Sequence, residues 1–390
     1  MTDRFIAIGV NQGDAYFLQR GDFTALVDGG RSAEGFPSQF QRVVNRSSVE
    51  ILICTHNDAD HAEGILGFLK HGLDCSELWL PASWADRLED VLLRPEDFTD
   101  ELLQNIDQLK KPPLQEVDFE RVSLLENLGD QYAEAEYNPK RVSESRLKEE
   151  NLKYHIDTIL GDISETKMNY WHSWFISFAR LLRQWQLEPW RGELFIQALA
   201  AGERIRQISL KAFHRGIRIR WFKYSNNTSY GGIPNKMVPL NAQEVATIQL
   251  KQWSALMYLA LTVSNRQSLV FYSQVSNNEP GILFTADSDL SFSEKIPWHS
   301  GMIITAPHHG SESNARAYER FKMETHQEIP TIWVRSDGRF RTRPGPSYLQ
   351  VSPNRFCTLC RGSPHTKQNI RFMLYRGRWK SVATRKCNCK

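Results

Sequence analysis

Long apolar runs are missing from this chain of 390 residues, and no segment approaches the ~20 apolar residues that a membrane-spanning helix needs. No membrane partner is therefore expected. The opening stretch, MTDRFIAIGV, lacks the basic and apolar segments of an export signal, so the expected compartment is the cytoplasm. There is no repeat of fixed period and no low-complexity tract, which argues against solenoid and fibrous architectures. Cysteine is scarce, at 6 residues, and in a reducing cytoplasm disulfides and free thiols are the less favoured readings of it beside a metal site. What is present is an ordinary composition, 41% hydrophobic and 24% charged, enough to bury one large core or two smaller ones.

Acidic residues thin out toward the C-terminus. Residues 301–390 hold 17 Lys and Arg against 5 Asp and Glu, or +12, which leaves −9 for residues 1–300 within an overall net charge of +3. A basic segment of this kind is the footprint of a polyanion binder, and nucleic acid is the expected partner; a solvated basic surface is the plainer reading.

Short strands open the chain, as RFIAIGV, AYFLQ, FTALVDGG and VEILICT, separated by turns and one short helix near residues 36–45. Ile65, Leu66, Phe68 and Leu69 then fall on one helical face of AEGILGFLKHG. Residues 86–215 read as a helical insertion, acidic at first and then rich in aromatics. Its stripe of Trp171, Trp174, Phe175, Phe178 and Leu182 fits a packed core better than a substrate clasp, and the insertion is a candidate surface for a protein partner. Strand character returns with GIRIRWFKY and continues through ALTVSNRQSLVFYSQ, GILFTAD and GMIITAPHHG. The expected organisation is two strand-rich halves, 1–85 and 216–345, flanking the insertion at 86–215, with a basic extension at 346–390. Strands alternating with helices imply an α/β fold in layers.

Chemistry gathers at strand ends. HNDADH places His56, Asp58, Asp60 and His61 just after an aliphatic strand, at a spacing that lets a tight turn aim several ligands into one space. APHHGSESN places His308 and His309 after MIIT, and GILFTADSD ends a third strand at Asp287. Three strand ends that each deliver histidine or aspartate suit a two-metal site. A polar turn whose aspartates cap the next helix is the plainer reading of HNDADH alone.

The same residues resemble the His-x-His-x-Asp-His motif of the metallo-β-lactamase fold, with aspartate in the second ligand position. The ordered series NQGDAYFL, LVDGG, CTHNDADHAEGI, NRQSLVF, FTADSD and APHHGS is similar to the metallo-β-lactamase-like domain of the bacterial competence DNA-uptake channel family. The resemblance implies an αββα sandwich and metal-dependent hydrolysis, with a nuclease or other phosphodiesterase as the leading activity. It further implies that His56 and Asp58 bind one divalent ion, Asp60 and His61 a second, and that Asp287 bridges them. One of His308 and His309 would complete the second site, and the other would face substrate and protonate the leaving group. Asp60 would also orient the attacking hydroxide. Asp289 is a weaker candidate, better suited to capping a helix over LSFSEKI.

The family's further histidine ligand has no clear counterpart here: His71, His155, His172 and His214 all lack a strand-end context. Asp58 in place of an imidazole hardens the first site toward manganese or magnesium, with zinc still compatible. The run Arg335, Arg339, Arg341 and Arg343 in VRSDGRFRTRPG is expected to clamp phosphates from a loop over the site, with Ser311 and Asn314 as further candidate substrate contacts. Other readings are a hydrolase of a small ester, thioester or lactam, and a weakly catalytic metal-binding module in a multi-protein defence system.

Four of the cysteines are paired. Cys357 with Cys360, and Cys387 with Cys389, have the arrangement of a four-thiolate structural zinc site, with His365 as a substitute ligand. Cys54 and Cys75 read as plain buried thiols.

Overall fold

The computed structural model describes residues 3–111, 123–136, 149–151, 188–274, 276, 279–326, 329–336, 343–360 and 367–389. The aromatic stripe from Trp171 to Leu182, together with His155, His172, Arg339, Arg341 and His365, lies outside the described residues. The chain divides into two compact units, one of residues 1–81, 217–245 and 265–390, the other of residues 82–216 and 246–264.

The first unit begins with β1 (Arg4–Ala7), β2 (Tyr16–Arg20), β3 (Phe23–Val27), α1 (Phe36–Val44), β4 (Ser48–Ile53), α2 (Ala59–Lys70) and β5 (Asp74–Pro81). The second unit follows with α3 (Leu88–Leu93), α4 (Pro95–Asp107), α5 (Leu124–Glu136), β6 (Glu149–Asn151) and α6 (Pro189–His214). The chain returns to the first unit through β7 (Arg218–Tyr224), β8 (Val238–Pro239) and β9 (Ala242–Val245), and revisits the second through β10 (Thr247–Gln249) and α7 (Ala255–Thr262). The remainder is β11 (Phe271–Ser273), β12 (Ile282–Phe284), β13 (Ile303–Thr305), α8 (Ala315–Thr325), β14 (Ile332–Arg335), α9 (Pro346–Leu349), β15 (Arg355–Cys357), β16 (Ile370–Tyr375) and β17 (Arg378–Ser381).

Two sheets build the first unit: nine strands in the order β17-β16-β1-β2-β3-β4-β5-β7-β9, and six in the order β15-β14-β13-β12-β11-β8. Alternation along each strand assigns the layers. Ile282, Phe284, Ile303, Ile332 and Val334 of the smaller sheet pack with Phe5, Tyr16, Leu18, Ile51, Ile53 and Trp79 of the larger one, forming the core between them. Their strand neighbours Leu283, Ile304 and Trp333 face the other way and are covered by Ala317, Tyr318 and Phe321 of α8. On the outer face of the larger sheet Phe17 meets Phe40 of α1, which meets Phe68 of α2 with ring centroids 5.3 Å apart. The result is helix, sheet, sheet and helix in four layers, the mixed α/β sandwich expected from the sequence.

Helix α2 starts where it does because Asp58, with extended backbone, caps it: its Oδ1 accepts from Ala59 N at 2.7 Å. Its register against the β3 turn depends on glycine. A Cβ on Gly64 would stand 1.9 Å from the Gly29 carbonyl oxygen, and Gly64 N donates to Gly30 O at 2.8 Å.

The second unit buries Phe98, Leu102 and Ile106 of α4, Leu125 and Leu128 of α5, Leu194, Phe195, Ala198 and Ile205 of α6, and Tyr258 and Leu259 of α7. Proline in the first turn of α4 and of α6 suits their entry, since a missing N–H there costs no helical bond. Arg87 ties the unit together, forking onto Glu101 at 2.8 Å while donating to Asp90 and to the Trp253 carbonyl. Among the described residues no helix is long and apolar enough to cross a membrane.

Several local expectations change. The ALT of ALTVSNRQSLVFYSQ closes α7 rather than opening a strand: Ser254 caps that helix, accepting from Met257 N at 3.3 Å, and only Phe271–Ser273 is extended. Residues 246–264 accordingly sit with the helical unit. The segment after residue 346 is not an appendage, because β15 pairs with β14 and β16 pairs with β1. No helix follows Asp289, whose Oδ1 instead accepts from Ser291 N at 3.0 Å in a local turn.

Candidate metal centre

Three strand ends meet at Asp287. The turn after β4 carries His56, and the first turn of α2 carries Asp60 and His61. Asp287 follows β12, and His308 and His309 follow β13. Each of the last two histidines has left-handed backbone, with φ of 45° and 54°, as does Gly310 at 83°. Two non-glycine residues in that region cost roughly 1–2 kcal/mol each. Strain of this kind persists where the surroundings over-determine a functional geometry.

Asp287 turns one oxygen to each side. Its Oδ1 lies 3.2 Å from His61 Nε2 and 3.7 Å from His309 Nε2. Its Oδ2 lies 3.9 Å from His56 Nε2 and 3.7 Å from His308 Nε2. Asp60 completes the first side, with its oxygens 3.9 Å from His61 Nε2 and 3.4 Å from His309 Nε2. Candidate ligand atoms of Asp60, His61 and His309, and separately of His56, His61 and Asp287, lie within 4.8 Å of one another.

Outer carboxylates set the tautomers. Asp28, in a left-handed turn after β3, receives Thr55 N at 2.9 Å, Thr55 Oγ1 at 2.8 Å and His61 Nδ1 at 2.9 Å. With its proton given to Asp28, the Thr55 hydroxyl accepts from His56 Nδ1 at 3.1 Å, which leaves His56 Nε2 a bare lone pair. Asp14 does for His309 what Asp28 does for His61: its Oδ1 lies 3.1 Å from His309 Nδ1, and also takes the hydroxyls of Tyr16 at 2.9 Å and Ser336 at 2.5 Å. Carboxylates behind imidazoles orient the ring and raise its basicity as a ligand. The loop bearing Asp14 is held close by glycine, since Gly13 has φ of 92° and a Cβ there would meet the Asp60 carbonyl oxygen at 1.6 Å.

Charge follows from these contacts. Burial, with His61 next to it, lowers His56 to about 3, and burial with Arg343 lowers His308 to about 4. Against the desolvation of burial, Asp287 and Asp28 hold His61 well above the ordinary imidazole value, and Asp287 and Asp14 do the same for His309. Burial likewise opposes ionisation of Asp60 and Asp287, but the imidazoles outweigh it and hold both well below the ordinary carboxylate value.

His56 Nε2, Asp60 Oδ1, His61 Nε2, Asp287 Oδ1 and His309 Nε2 are all buried without a hydrogen-bond partner. Buried polar atoms are almost always paired. Five orphans that converge from three strand ends have the chemistry of a donor set for a divalent cation, and Asp60, His61 and His309 form one candidate group. The opposite side offers His56 Nε2 and Asp287 Oδ2, with His308 shared: His308 Nδ1 lies 3.0 Å from Asn314 Oδ1, and its Nε2 lies 2.7 Å from Arg343 Nη2.

Not every sequence candidate arrives here. Asp58 is the cap of α2 and joins none of the grouped ligand atoms. His71 closes α2, 3.2 Å from Glu34, and His214 ends α6; neither joins a group of candidate ligand atoms. Ser311 caps the following turn, and Asn314, which donates to the Asp287 carbonyl at 2.7 Å, orients His308 from behind. Arg335 is a correction. Expected on a phosphate-binding loop, it is the last residue of β14, 0% exposed, on the Trp333 face, where it donates to Cys357 Sγ and the Leu359 carbonyl. Strand alternation carries it away from the centre. Arg343 is the described member of that run that does reach it. Asp14 and Asp28 were missed by sequence reasoning, although each stands beside a glycine at a turn next to a strand, which was the available signal.

Residues 8–76 match the family model of the metallo-beta-lactamase superfamily. That stretch contains Asp14, Asp28 and the whole of HNDADH. No curated protein matches the chain.

Proposed function

We propose that this protein is a metal-dependent hydrolase that acts on phosphodiesters, with nucleic acid as the substrate. The observation that carries the reading is the gathering at three strand ends of five buried donor atoms without hydrogen-bond partners, Asp287 Oδ1 among them. Divalent cations bound there, manganese or zinc by donor chemistry, would supply a water of lowered pKa and Lewis acidity toward an oxyanion.

The protein's own groups have separable tasks. Asp60, with one oxygen unpartnered, accepts a hydrogen bond from the attacking water and orients it. Asp14 and Asp28 hold His309 and His61 by their Nδ1 atoms, so both rings keep their Nε2 atoms turned inward. His308, neutral at neutral pH, is held by Asn314 at Nδ1 and accepts from Arg343 at Nε2, so it positions that guanidinium, and the leaving oxygen takes its proton from solvent. Arg343, always charged, stands 2.7 Å from His308 and offers forked donors to a phosphate oxygen.

Three features favour phosphodiesters over small esters: Arg343 at the rim of the centre, the +12 balance of residues 301–390, and the resemblance to DNA-uptake domains. The test is incubation of the protein with labelled single- and double-stranded DNA and RNA, with manganese, magnesium or zinc, against a panel of small esters, thioesters and lactams. Cleavage of nucleic acid that disappears in Asp60→Ala is expected. Turnover of small esters without nucleic-acid cleavage overturns the substrate, and activity that survives in Asp60→Ala overturns the mechanism.

A further inference from the structure

A second group of potential ligands lies apart from the centre just described. Cys357 ends β15, Cys360 follows it by three residues, and Cys387 and Cys389 lie beyond β17. All four sulfurs lie within 4.8 Å of one another, and none is in a disulfide. Zinc–sulfur bonds of about 2.3 Å at tetrahedral angles set sulfur–sulfur separations of roughly 3.8 Å, so Cys357 Sγ and Cys387 Sγ, 2.8 Å apart here, would separate by about 1 Å on taking up the ion. The backbone has already closed around them. Cys387 N donates to the Arg355 carbonyl at 2.8 Å, and Gln368 Nε2 bridges the carbonyls of Cys357 and Arg385 at 3.0 and 3.1 Å. Cys389 N donates to Cys387 Sγ at 3.4 Å, which is how a backbone supports a sulfur bearing negative charge.

An independent observation points the same way. Arg335 is 0% exposed, and a guanidinium keeps its charge in a protein interior. A buried charge needs a counter-charge. Among the described residues no carboxylate serves; its partners are Cys357 Sγ at 3.4 Å, Cys389 Sγ at 3.9 Å and the Leu359 carbonyl at 2.8 Å, while Nη1 has none. Among the described residues, four neutral thiols would leave that cation uncompensated. Four thiolates around one divalent cation carry a net charge of −2, and Arg335 offsets half of it.

We propose that Cys357, Cys360, Cys387 and Cys389 hold one soft divalent cation, zinc by its chemistry, in a tetrathiolate site that is charge-balanced by Arg335 and pins the C-terminal chain to the edge of the smaller sheet. The site also reaches the other centre. Strand alternation turns Arg335 and Ser336 to opposite faces, and the Ser336 hydroxyl is bonded to Asp14 Oδ1, the oxygen that holds His309. That link rests on the reading of the histidine–aspartate centre above; the zinc site does not.

Cobalt(II) titration of the zinc-depleted full-length protein separates the two. A sulfur-to-cobalt charge-transfer absorption that saturates at one equivalent is expected in the wild type and in Asp287→Asn, and is expected to be absent in Cys360→Ser/Cys389→Ser. Arg335→Leu should weaken binding of that ion by about 10- to 100-fold, as loss of an outer-sphere partner does. An absorption lost in Asp287→Asn but kept in the cysteine variant overturns the assignment, as does an unchanged affinity in Arg335→Leu for the charge balance. Should the cysteine variant fail to fold, thiol counting on the wild type decides: four thiols protected by zinc and released by chelator support the site. Six thiols reactive regardless of zinc, or two disulfides in the purified protein, refute it. Failure of hydrolysis with the charge-transfer band intact would count against the proposed function and not against this site.

Discussion

Asp14 Oδ1 lies 3.1 Å from His309 Nδ1, across 295 residues of chain. It fixes the ring of the histidine that, among the described residues, groups with Asp60 and His61. Asp14→Asn keeps the size of the side chain and removes its charge. The expected outcome is a folded protein whose tightest divalent cation is bound about 10- to 100-fold more weakly, by competition against a chelator. Asp28→Asn should behave alike through His61.

Cation binding should release protons at neutral pH. In the cation-free protein the folded-state pKa values of His61 and His309 are raised, so both imidazoles carry a proton at pH 7 that a cation must displace. His56 and His308, lowered to about 3 and about 4, have none to give. Affinity is therefore expected to fall as pH drops from 8 to 6. Calorimetry in buffers of different ionisation enthalpy should count one proton from each of His61 and His309; no release at all would contradict the charge assignment.

Arg343→Ala should lower kcat/KM toward a phosphodiester by roughly 10- to 100-fold, the value of a charge-assisted hydrogen bond of about 1.5–3 kcal/mol. It should also raise the His308 pKa from about 4, because the guanidinium is a cause of that depression second only to burial. Imidazole NMR titration reads the second effect without reference to activity.

Gly64→Ala forces a methyl group to within 1.9 Å of the Gly29 carbonyl oxygen, beneath the Asp28 turn. Overpacking of this kind costs about 1–3 kcal/mol. The expected fall in Tm is about 2–4 °C per kcal/mol, together with weaker cation binding, because the same turn carries the partner of His61.

The sandwich was legible in the sequence because its strands are short, mostly apolar runs that end in turns rich in glycine, aspartate and histidine. HNDADH stood out for its density of ligands at one strand end. Asp14 and Asp28 did not, because an aspartate beside a turn glycine is a common pattern, and its role exists only once β1, β3 and β13 are packed together. Arg335 shows the opposite failure. Read as one of a run of arginines it belonged to a loop; read by the alternation of TIWVRS it belongs to the face of Trp333, and burial then demands the sulfurs beside it. Within the basic extension expected at 346–390, nothing local to residues 370–381 announces that β1 lacks a neighbour on that side.

The central claim is that Asp287 stands between cation sites built from distant strand ends. Anomalous diffraction from crystals grown in manganese tests it most directly. A peak within coordinating distance of Asp60, His61 Nε2, His309 Nε2 and Asp287 Oδ1 is predicted, with a second, weaker one beside His56 Nε2 and Asp287 Oδ2. A map with no peak at Asp287, under conditions where manganese binds the protein elsewhere, would contradict it.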